Sequence, residues 1–304
     1  MQPEFPSIVC AGEALTDLVA TGPDQWRSRV GGSTWNVARA LAAQGMATAF
    51  AGAISEDLFG DALWAASAAG GLDLRFLQRA PKAPLLAVVE SEPPRYFFVG
   101  GDSADLQFDP QRLPEGWLAK VQWLHFGGIS LAREPLATTL LALAEQAKAA
   151  GARISYDPNF RKLMDARYDS TLQRMSALAD VIKVSDDDLR GLFRTDAVER
   201  AFAELRRFNP RAAYLFTRGA QGASLHLGAH QWRAPAPQIT VADTLGAGDA
   251  CIAGLLASLS AFPAHSWQQH LNVAVASGAA ACLQAGAHAP DRAQVLALCA
   301  GMPD

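Results

Sequence analysis

The sequence lacks the features that would suit an extracellular, membrane-spanning or nucleic-acid-binding protein. Its 304 residues include only four cysteines, which lie far apart and form no Cys-x-x-Cys pair, so we expect free thiols rather than a disulfide framework. No apolar run approaches the roughly 18 residues that span a bilayer. Basic residues number 26 against 30 acidic ones and form no cluster, which disfavours a polyanionic partner. Since the N-terminus also lacks a signal-peptide pattern, we expect a cytoplasmic protein that binds neither membrane nor nucleic acid.

Short β-rich segments alternate with longer alanine-rich segments of helical pattern. The predicted strands cover 7–11, 48–54, 122–126, 153–157, 181–184 and 213–217. The predicted helices cover 33–44, 58–69 and 135–150. This alternation predicts an α/β fold with a mostly parallel central sheet and helices on both faces. Ligands of such sheets bind beyond the carboxyl ends of the strands. Because no linker-like segment interrupts the pattern, we expect one domain over residues 1–304.

Two regions, near 18–30 and 85–100, depart from the alternation. Within the second, the segments 85–91 and 95–99 flank Glu-Pro-Pro at 92–94, a turn signal that predicts a β-hairpin. Together the two regions could form a small β-sheet that covers a ligand site as a lid. The alternative is an edge hairpin of the main sheet.

The strongest chemical signal is DTLGAGD at 243–249, followed by the apolar run 250–259. Gly246 and Gly248 permit a tight turn in which successive N–H groups point the same way. The run that follows predicts a helix, whose N-terminus attracts anions. Asp249 would lie where a hydroxyl group could meet a phosphoryl group held by this turn. The alternative is a glycine turn before an ordinary acidic helix start, and the sequence contains no Walker motif.

This segment resembles the C-terminal signature Asp-Thr-x-Gly-Ala-Gly-Asp of the ribokinase-like carbohydrate kinases, the PfkB family. The segment GGSTWNVA at 31–38 resembles the N-terminal signature of the same family. The resemblance extends from Gly12 to the Gly-Ala pair at 286–287. It implies a ribokinase-like α/β fold with a β-sheet lid. It also implies ATP-dependent phosphorylation of a sugar hydroxyl, with ATP, Mg²⁺ and K⁺ as cofactors.

The same resemblance assigns roles to individual residues. Asp249 would be the catalytic base, and the anion turn would comprise Gly246, Ala247 and Gly248. The residues implied for sugar binding are Asp17, Gly31, Gly32, Asn36, Phe97, Asn159 and Arg161. The residues implied for ATP binding are Lys183, Ser185, Thr217, Gly219 and Gly222.

The metal residues are less regular. Asp243 resembles the acid that helps to hold a monovalent cation. The family pattern Lys-x-Asn-x-x-Glu appears here with Ser185 in place of Asn and Asp188 in place of Glu. Asp188 is thus implied to bind Mg²⁺ through water, although the shorter side chain requires the network to shift or Asp187 to contribute. The alternative is that the three acids at 186–188 form a solvated helix start.

Substrate choice is the remaining question. The segments 12–17, 103–105 and 125–131 resemble bacterial fructokinases. Related kinases of 2-keto-3-deoxygluconate place an arginine three residues before Ser-Ala, where this chain has Gly100. We therefore expect fructose, phosphorylated at its 6-hydroxyl, with 2-keto-3-deoxygluconate, other sugars or nucleosides as alternatives. A different class would be a catalytically silent sugar-binding regulatory protein. A β-lid with apolar faces also suggests a homodimer through the lids.

Overall fold

The computed structural model describes residues 5–22, 24–91 and 94–302, and only the backbone of residues 91 and 94–96. The predicted turn at 92–94 therefore lies partly outside the described residues. All four cysteines are free thiols, as expected. Within the described ranges, the longest helices have 15 residues, and none is both long and apolar enough to cross a membrane.

Thirteen strands are found in the described residues. They are β1 Ile8–Ala11, β2 Leu15–Gly22, β3 Gln25–Gly31, β4 Thr48–Ser55, β5 Leu77–Ala80, β6 Leu86–Ser91, β7 Pro94–Val99, β8 Trp123–Gly127, β9 Arg153–Asp157, β10 Val181–Ser185, β11 Ala213–Thr217, β12 Ala223–Leu227 and β13 His230–Ala234. Nine of them form the central sheet in the order β13-β12-β11-β10-β9-β8-β1-β4-β5. All neighbours pair in parallel except at β11-β12 and β12-β13. The predicted, mostly parallel sheet is confirmed.

Helices cover both faces of this sheet. They are α1 Ser33–Ala43, α2 Leu58–Ala69, α3 Leu136–Ala149, α4 Asp169–Leu178, α5 Asp186–Phe193, α6 Val198–Phe208, α7 Ala247–Ala261, α8 Trp267–Ala281 and α9 Arg292–Cys299. Because successive strand side chains point to opposite faces, β1 contributes to two separate cores. Val9 packs with residues of α3 to α6, whereas Ile8 packs with residues of α1, α7 and α8. Because β1 and β4 are buried along their whole length, they are accordingly composed mainly of apolar residues.

The two irregular regions form a separate four-stranded sheet in the order β3-β2-β6-β7. It is not an edge hairpin of the central sheet. One face of this small sheet packs through Leu15 and Ala87 against Ile129, which follows β8. The small sheet therefore lies over the carboxyl end of the central strands. That one domain spans residues 1–304, with this sheet as its lid, stays a prediction.

Candidate active site

A cavity of about 710 Å³ lies between the small sheet and the carboxyl ends of the central strands. Ten of the residues that the sequence assigned to a site line it: Asp17, Gly32, Asn36, Asn159, Arg161, Lys183, Asp243, Gly246, Gly248 and Asp249. These residues come from distant parts of the chain, and the order of the sheet brings them together. The cavity is large enough to hold a small ligand of drug size.

Asp249 lies in the first turn of α7, directly after the predicted anion turn. Gly246 precedes the helix with φ 79°, a left-handed conformation, and a Cβ there would lie only 3.0 Å from Ala287 Cβ. Asp249 is 7% exposed, and its carboxylate accepts hydrogen bonds from Ser33 Oγ at 2.8 Å and Asn36 Nδ2 at 2.9 Å. Burial raises the pKa of Asp249, whereas these two donors lower it.

Lys183 lies beneath the anion turn. A Cβ added to Gly248 would be 3.0 Å from Lys183 Nζ, so glycine brings the helix start close to the buried ammonium. The same Nζ forms an ion pair with Asp157 Oδ2 at 3.0 Å. Burial disfavours the charge on Lys183, but Asp157 and Asp188 outweigh it and raise the pKa of the ammonium above its usual range. A fixed positive charge therefore lies next to the place predicted for an anion.

The small sheet contributes Asp17 to the other end of the cavity. Gly31 lies opposite Leu15 in the β2-β3 pairing, and a Cβ there would approach Asp17 Oδ2 to 2.6 Å. Gly31 itself does not line the cavity; its missing side chain makes room for this carboxylate. Burial raises the pKa of Asp17 to about 6, while Arg161 and Arg29 act against the shift.

Glu13 lines the same end of the cavity and was not among the predicted site residues. Its buried carboxylate accepts hydrogen bonds from Ser33 N at 3.1 Å and from the N–H and hydroxyl of Ser130. A Cβ at Gly128, whose φ is +64°, would lie 2.2 Å from Glu13 Oε1. Burial raises the pKa of Glu13 to about 7. The signal available in the sequence was an acidic residue directly after the glycine that follows the predicted strand at 7–11, where a ligand site was expected.

Asn159 and Arg161 follow β9 and line the cavity beside Asp249. Asn159 adopts a left-handed φ of 45°, which is uncommon outside glycine. Its Nδ2 donates to Ser33 Oγ at 2.7 Å, and Arg161 donates to its Oδ1 at 2.6 Å. Ser33 thus contacts both Asn159 and Asp249, although it was not among the predicted site residues.

Phe97 was predicted to bind the sugar, but the structure places Phe98 in the cavity instead. Phe98 pairs with Ala87 in the register of β6 and β7, and both side chains face inward. Phe97 lies on the opposite face and is 60% exposed. Phe98 rather than Phe97 therefore lines this cavity, because a shift of one residue reverses the face in a strand.

Asp188 does not face the cavity either. It is the third residue of α5 and forms a capping box with Ser185, which uses the side chains of both residues. One carboxylate oxygen of Asp188 accepts from Phe160 N at 2.7 Å, and the other accepts from Ser185 N and Oγ. Asp187, with its side chain 89% exposed, lines the cavity. Of these two acids, Asp187 rather than Asp188 lines the cavity.

The remaining residues predicted for ATP lie beside the cavity rather than in its lining. Ser185 and Thr217 pair at the carboxyl ends of β10 and β11. Gly219 and Gly222 follow in a tight turn, with φ of +53° and +88°. A Cβ at Gly222 would lie 2.1 Å from the carbonyl oxygen of Ala234, so the conformation requires glycine. Ala247, the middle residue of the anion turn, also lies outside the lining.

Asp243 is held by the backbone of two loops. Its carboxylate accepts from Leu245 N at 3.0 Å and from Gly286 N at 2.8 Å, which joins the segment before α7 to the segment after α8. Arg29 of β3 lies 3.9 Å away. Burial would raise the pKa of Asp243, but the hydrogen bonds from Gly286 and Leu245 lower it below its usual range.

Comparison with known proteins agrees with this geometry. Residues 6–294 match the pfkB family carbohydrate kinases. Over 260 residues the chain is 35% identical to a fructokinase of Klebsiella pneumoniae, with 82% of this chain and 83% of the relative covered. The structure of a Xylella fastidiosa fructokinase with bound ATP superposes with a TM-score of 0.87 at 28% identity, covering 96% and 97% of the two chains.

A fructokinase of Vibrio cholerae O395, solved with fructose, ADP and a calcium ion, superposes with a TM-score of 0.85 at 28% identity, covering 96% of this chain and 98% of that one. The family match covers most of the chain, and the fold agrees with the ribokinase-like kinases over nearly its full length. The chain therefore belongs to the PfkB family of carbohydrate kinases and is an ATP-dependent sugar kinase.

Proposed function

We propose that this enzyme transfers the γ-phosphoryl group of ATP to the 6-hydroxyl of fructose, with Asp249 as the catalytic base. The observation that supports this most is the position of Asp249 in the first turn of α7, facing the cavity beside Gly246 and Gly248. The similarity to fructokinases, one of them solved with fructose and ADP, supports the choice of sugar.

Positioning and charge stabilisation supply most of the rate in phosphoryl transfer. In the proposed mechanism, the sugar hydroxyl donates to Asp249, which orients it and accepts its proton as transfer proceeds. Asn36 Oδ1 is buried and has no hydrogen-bond partner within the described residues, so it can accept from a second hydroxyl. The N–H groups of the anion turn, with Arg161 and Lys183, stabilise the negative charge on the transferred group.

We propose Mg²⁺ and K⁺ as cofactors, with roles for Asp187 and Asp243. Mg²⁺ is usually held by one or two carboxylates together with substrate phosphates and water, and the cavity-lining carboxylate of Asp187 suits that arrangement. Among the described residues, no cluster of three or more ligating side chains would form a cage made of protein alone. Bound there, the metal would neutralise phosphate charge. Asp243, between two loops, suits the monovalent cation.

The balance of charged side chains in the cavity favours a neutral sugar. Two cations, Arg161 and Lys183, line it against five acids, so a sugar acid would meet an excess of acidic groups: Glu13, Asp17, Asp187, Asp243 and Asp249. Gly100, the position that motivated this preference, does not line the cavity. A Cβ there would lie 2.5 Å from Leu85 Cδ1 and 2.8 Å from Ser103 Oγ, so an arginine at Gly100 would clash rather than bind a substrate carboxylate.

We also propose that the small sheet closes over the sugar and that two copies of the chain form a homodimer through the outer faces of their small sheets. Trp26, Phe97 and Val99 lie on the small sheet and are each about half exposed or more, at 51%, 60% and 47%. Exposed apolar side chains grouped on one sheet suit a protein interface. Phe97→Ala should weaken dimers in sedimentation and leave fructose KM nearly unchanged, whereas Phe98→Ala should raise fructose KM. Equal effects of the two variants on KM would contradict this assignment of faces.

The test of the main proposal is ADP release with ATP and a panel of fructose, ribose, 2-keto-3-deoxygluconate and adenosine. Fructose should give the highest kcat/KM, with fructose 6-phosphate as product. A higher kcat/KM for the sugar acid or for adenosine would overturn the choice of sugar.

We also propose a cytoplasmic location, which the use of ATP as phosphoryl donor and the four free cysteines support.

A further inference from the structure

Four side chains form a continuous hydrogen-bond chain that ends on the proposed base. Arg161 donates to Asn159 Oδ1 at 2.6 Å, and Asn159 Nδ2 donates to Ser33 Oγ at 2.7 Å. Ser33 Oγ in turn donates to Asp249 Oδ1 at 2.8 Å. All four line the cavity, so the chain runs along its wall from the arginine to the carboxylate.

The direction of every hydrogen bond in this chain is set by its two ends. A guanidinium can only donate, so Asn159 must present its carbonyl oxygen to Arg161 and its NH₂ group to Ser33. An ionised carboxylate can only accept, and Ser33 has a single hydroxyl proton. Because Ser33 already accepts from Asn159, its proton points to Asp249.

The backbone of Ser33 is fixed as well. Ser33 is the first residue of α1, and its N–H donates to the buried carboxylate of Glu13 at 3.1 Å. Gly32 precedes it with φ +113°, and a Cβ there would lie 2.6 Å from the carbonyl oxygen of Glu13. The hydroxyl of Ser33 is therefore held in place by contacts on both sides.

We propose that Ser33 is a positioning residue for Asp249, whose hydroxyl orients the carboxylate and links it through Asn159 to Arg161. This inference rests on the proposed role of Asp249 as base. Ser33 holds Oδ1 while Asn36 holds Oδ2, so the carboxylate plane is fixed before the sugar arrives. When oxygens of a bound ligand compete for Arg161, the change reaches Asp249 through Asn159 and Ser33, which couples the arginine to the carboxylate.

The experiment compares steady-state kinetics of the wild type with Ser33→Ala, Ser33→Thr and Ser67→Ala over a range of pH. Ser33→Ala removes a hydrogen bond to a charged group, so kcat should fall roughly 10- to 100-fold while fructose KM changes less than about threefold. The acidic limb of the kcat profile should move to higher pH, because the ionised base loses a donor. Ser33→Thr keeps the hydroxyl and should recover most of kcat.

Ser67→Ala is the matched control. Ser67 is buried on α2, and its hydroxyl accepts from Trp35 Nε1 of α1 at 2.9 Å, away from the cavity. This variant should lower the melting temperature but leave kcat and its pH profile unchanged. Wild-type kcat and an unmoved acidic limb in Ser33→Ala would overturn the inference. So would equal losses in Ser33→Ala and Ser33→Thr, because a lost hydroxyl would then not be the cause.

A second measurement tests the link to Arg161 and does not depend on Ser33→Ala alone. Asn159→Gly keeps the left-handed backbone without strain and removes the middle of the chain. Its effect on kcat should not add to that of Ser33→Ala, because both variants break the same chain. Additive effects would contradict the coupling. If Asp249→Asn remained active, the proposed base would fail; an inactive Asp249→Asn with a normal Ser33→Ala would refute only this inference.

Discussion

The two ends of the site are built in different ways. Around Asp249, side chains from α1, the loop after β9 and α7 hydrogen-bond to one another across the cavity. At the ends of β10 and β11, the residues predicted for ATP are caps and glycine turns whose side chains are absent or engaged locally. The geometry around Asp249 therefore depends on particular side chains, whereas the geometry at the ends of β10 and β11 depends on backbone conformation. Substitutions should therefore reduce activity most at the first end and stability at the second.

The largest effect is expected for Asp249→Asn, which removes the proposed proton acceptor. We expect kcat to fall at least about 100-fold while ATP binding stays nearly intact, because the amide keeps the shape but not the basicity. Rapid kinetics together with ATP titration of the variant would check both parts. A variant that keeps more than about a tenth of wild-type kcat would remove Asp249 from the mechanism.

Next comes Lys183→Met, which connects the two ends. It would leave the fully buried carboxylate of Asp157 without its ion-pair partner, which should lower the free energy of unfolding by about 3–5 kcal/mol. Urea denaturation measures this loss. The double variant Lys183→Met with Asp157→Asn should recover part of it, since Asp157 then carries no buried charge without its ion-pair partner. No recovery would mean that packing, not charge, is the cause.

Glu13→Gln should change how stability depends on pH. The pKa of Glu13 in the folded protein, about 7, lies above the ordinary value of 4.5, so the native state retains this proton longer than the unfolded chain. Its contribution to stability is present below pH 4.5 and is lost as the pH rises through about 7. Over this pH range, the free energy of unfolding of Glu13→Gln should fall by on the order of 3 kcal/mol less than that of the wild type. Denaturation at several pH values checks it; identical slopes would contradict it.

The smallest effect concerns the backbone end and compares two glycines of one turn. Gly219 and Gly222 both have positive φ, but only Gly222 faces backbone atoms at a distance that excludes a Cβ. Gly219→Ala should cost about 1–2 kcal/mol of stability from the left-handed conformation alone. Gly222→Ala should cost about 1–3 kcal/mol more because it also overpacks. Thermal unfolding of both variants tests the difference, and equal losses would refute the steric argument.

Much of the fold followed from local patterns. The strand at 153–157, the helix at 58–69 and the strand at 213–217 agree with the structure at both ends, because alternating apolar runs and glycine stops are local signals. The helices α4 to α6 and the antiparallel pair of β12 and β13 were not predicted. In α6 the buried residues Ala201, Phe202 and Leu205 follow helical spacing, so the sequence indicated this helix although the prediction omitted it.

The sequence by itself determined the anion turn and its acid, since glycine spacing and a following apolar helix act over a few residues. The family resemblance also indicated acids and amides that line the cavity, although they lie in separate segments of the chain: Asp17, Asn36 and Asn159. Only the tertiary structure decided which side chains face inward. Phe98 rather than Phe97 lines the cavity because the register of β6 and β7 fixes the face. Asp187 rather than Asp188 lines the cavity because the capping box of α5 uses the side chain of Asp188. Ser33 joins Asp249 because sheet order brings α1 and α7 together across 216 residues.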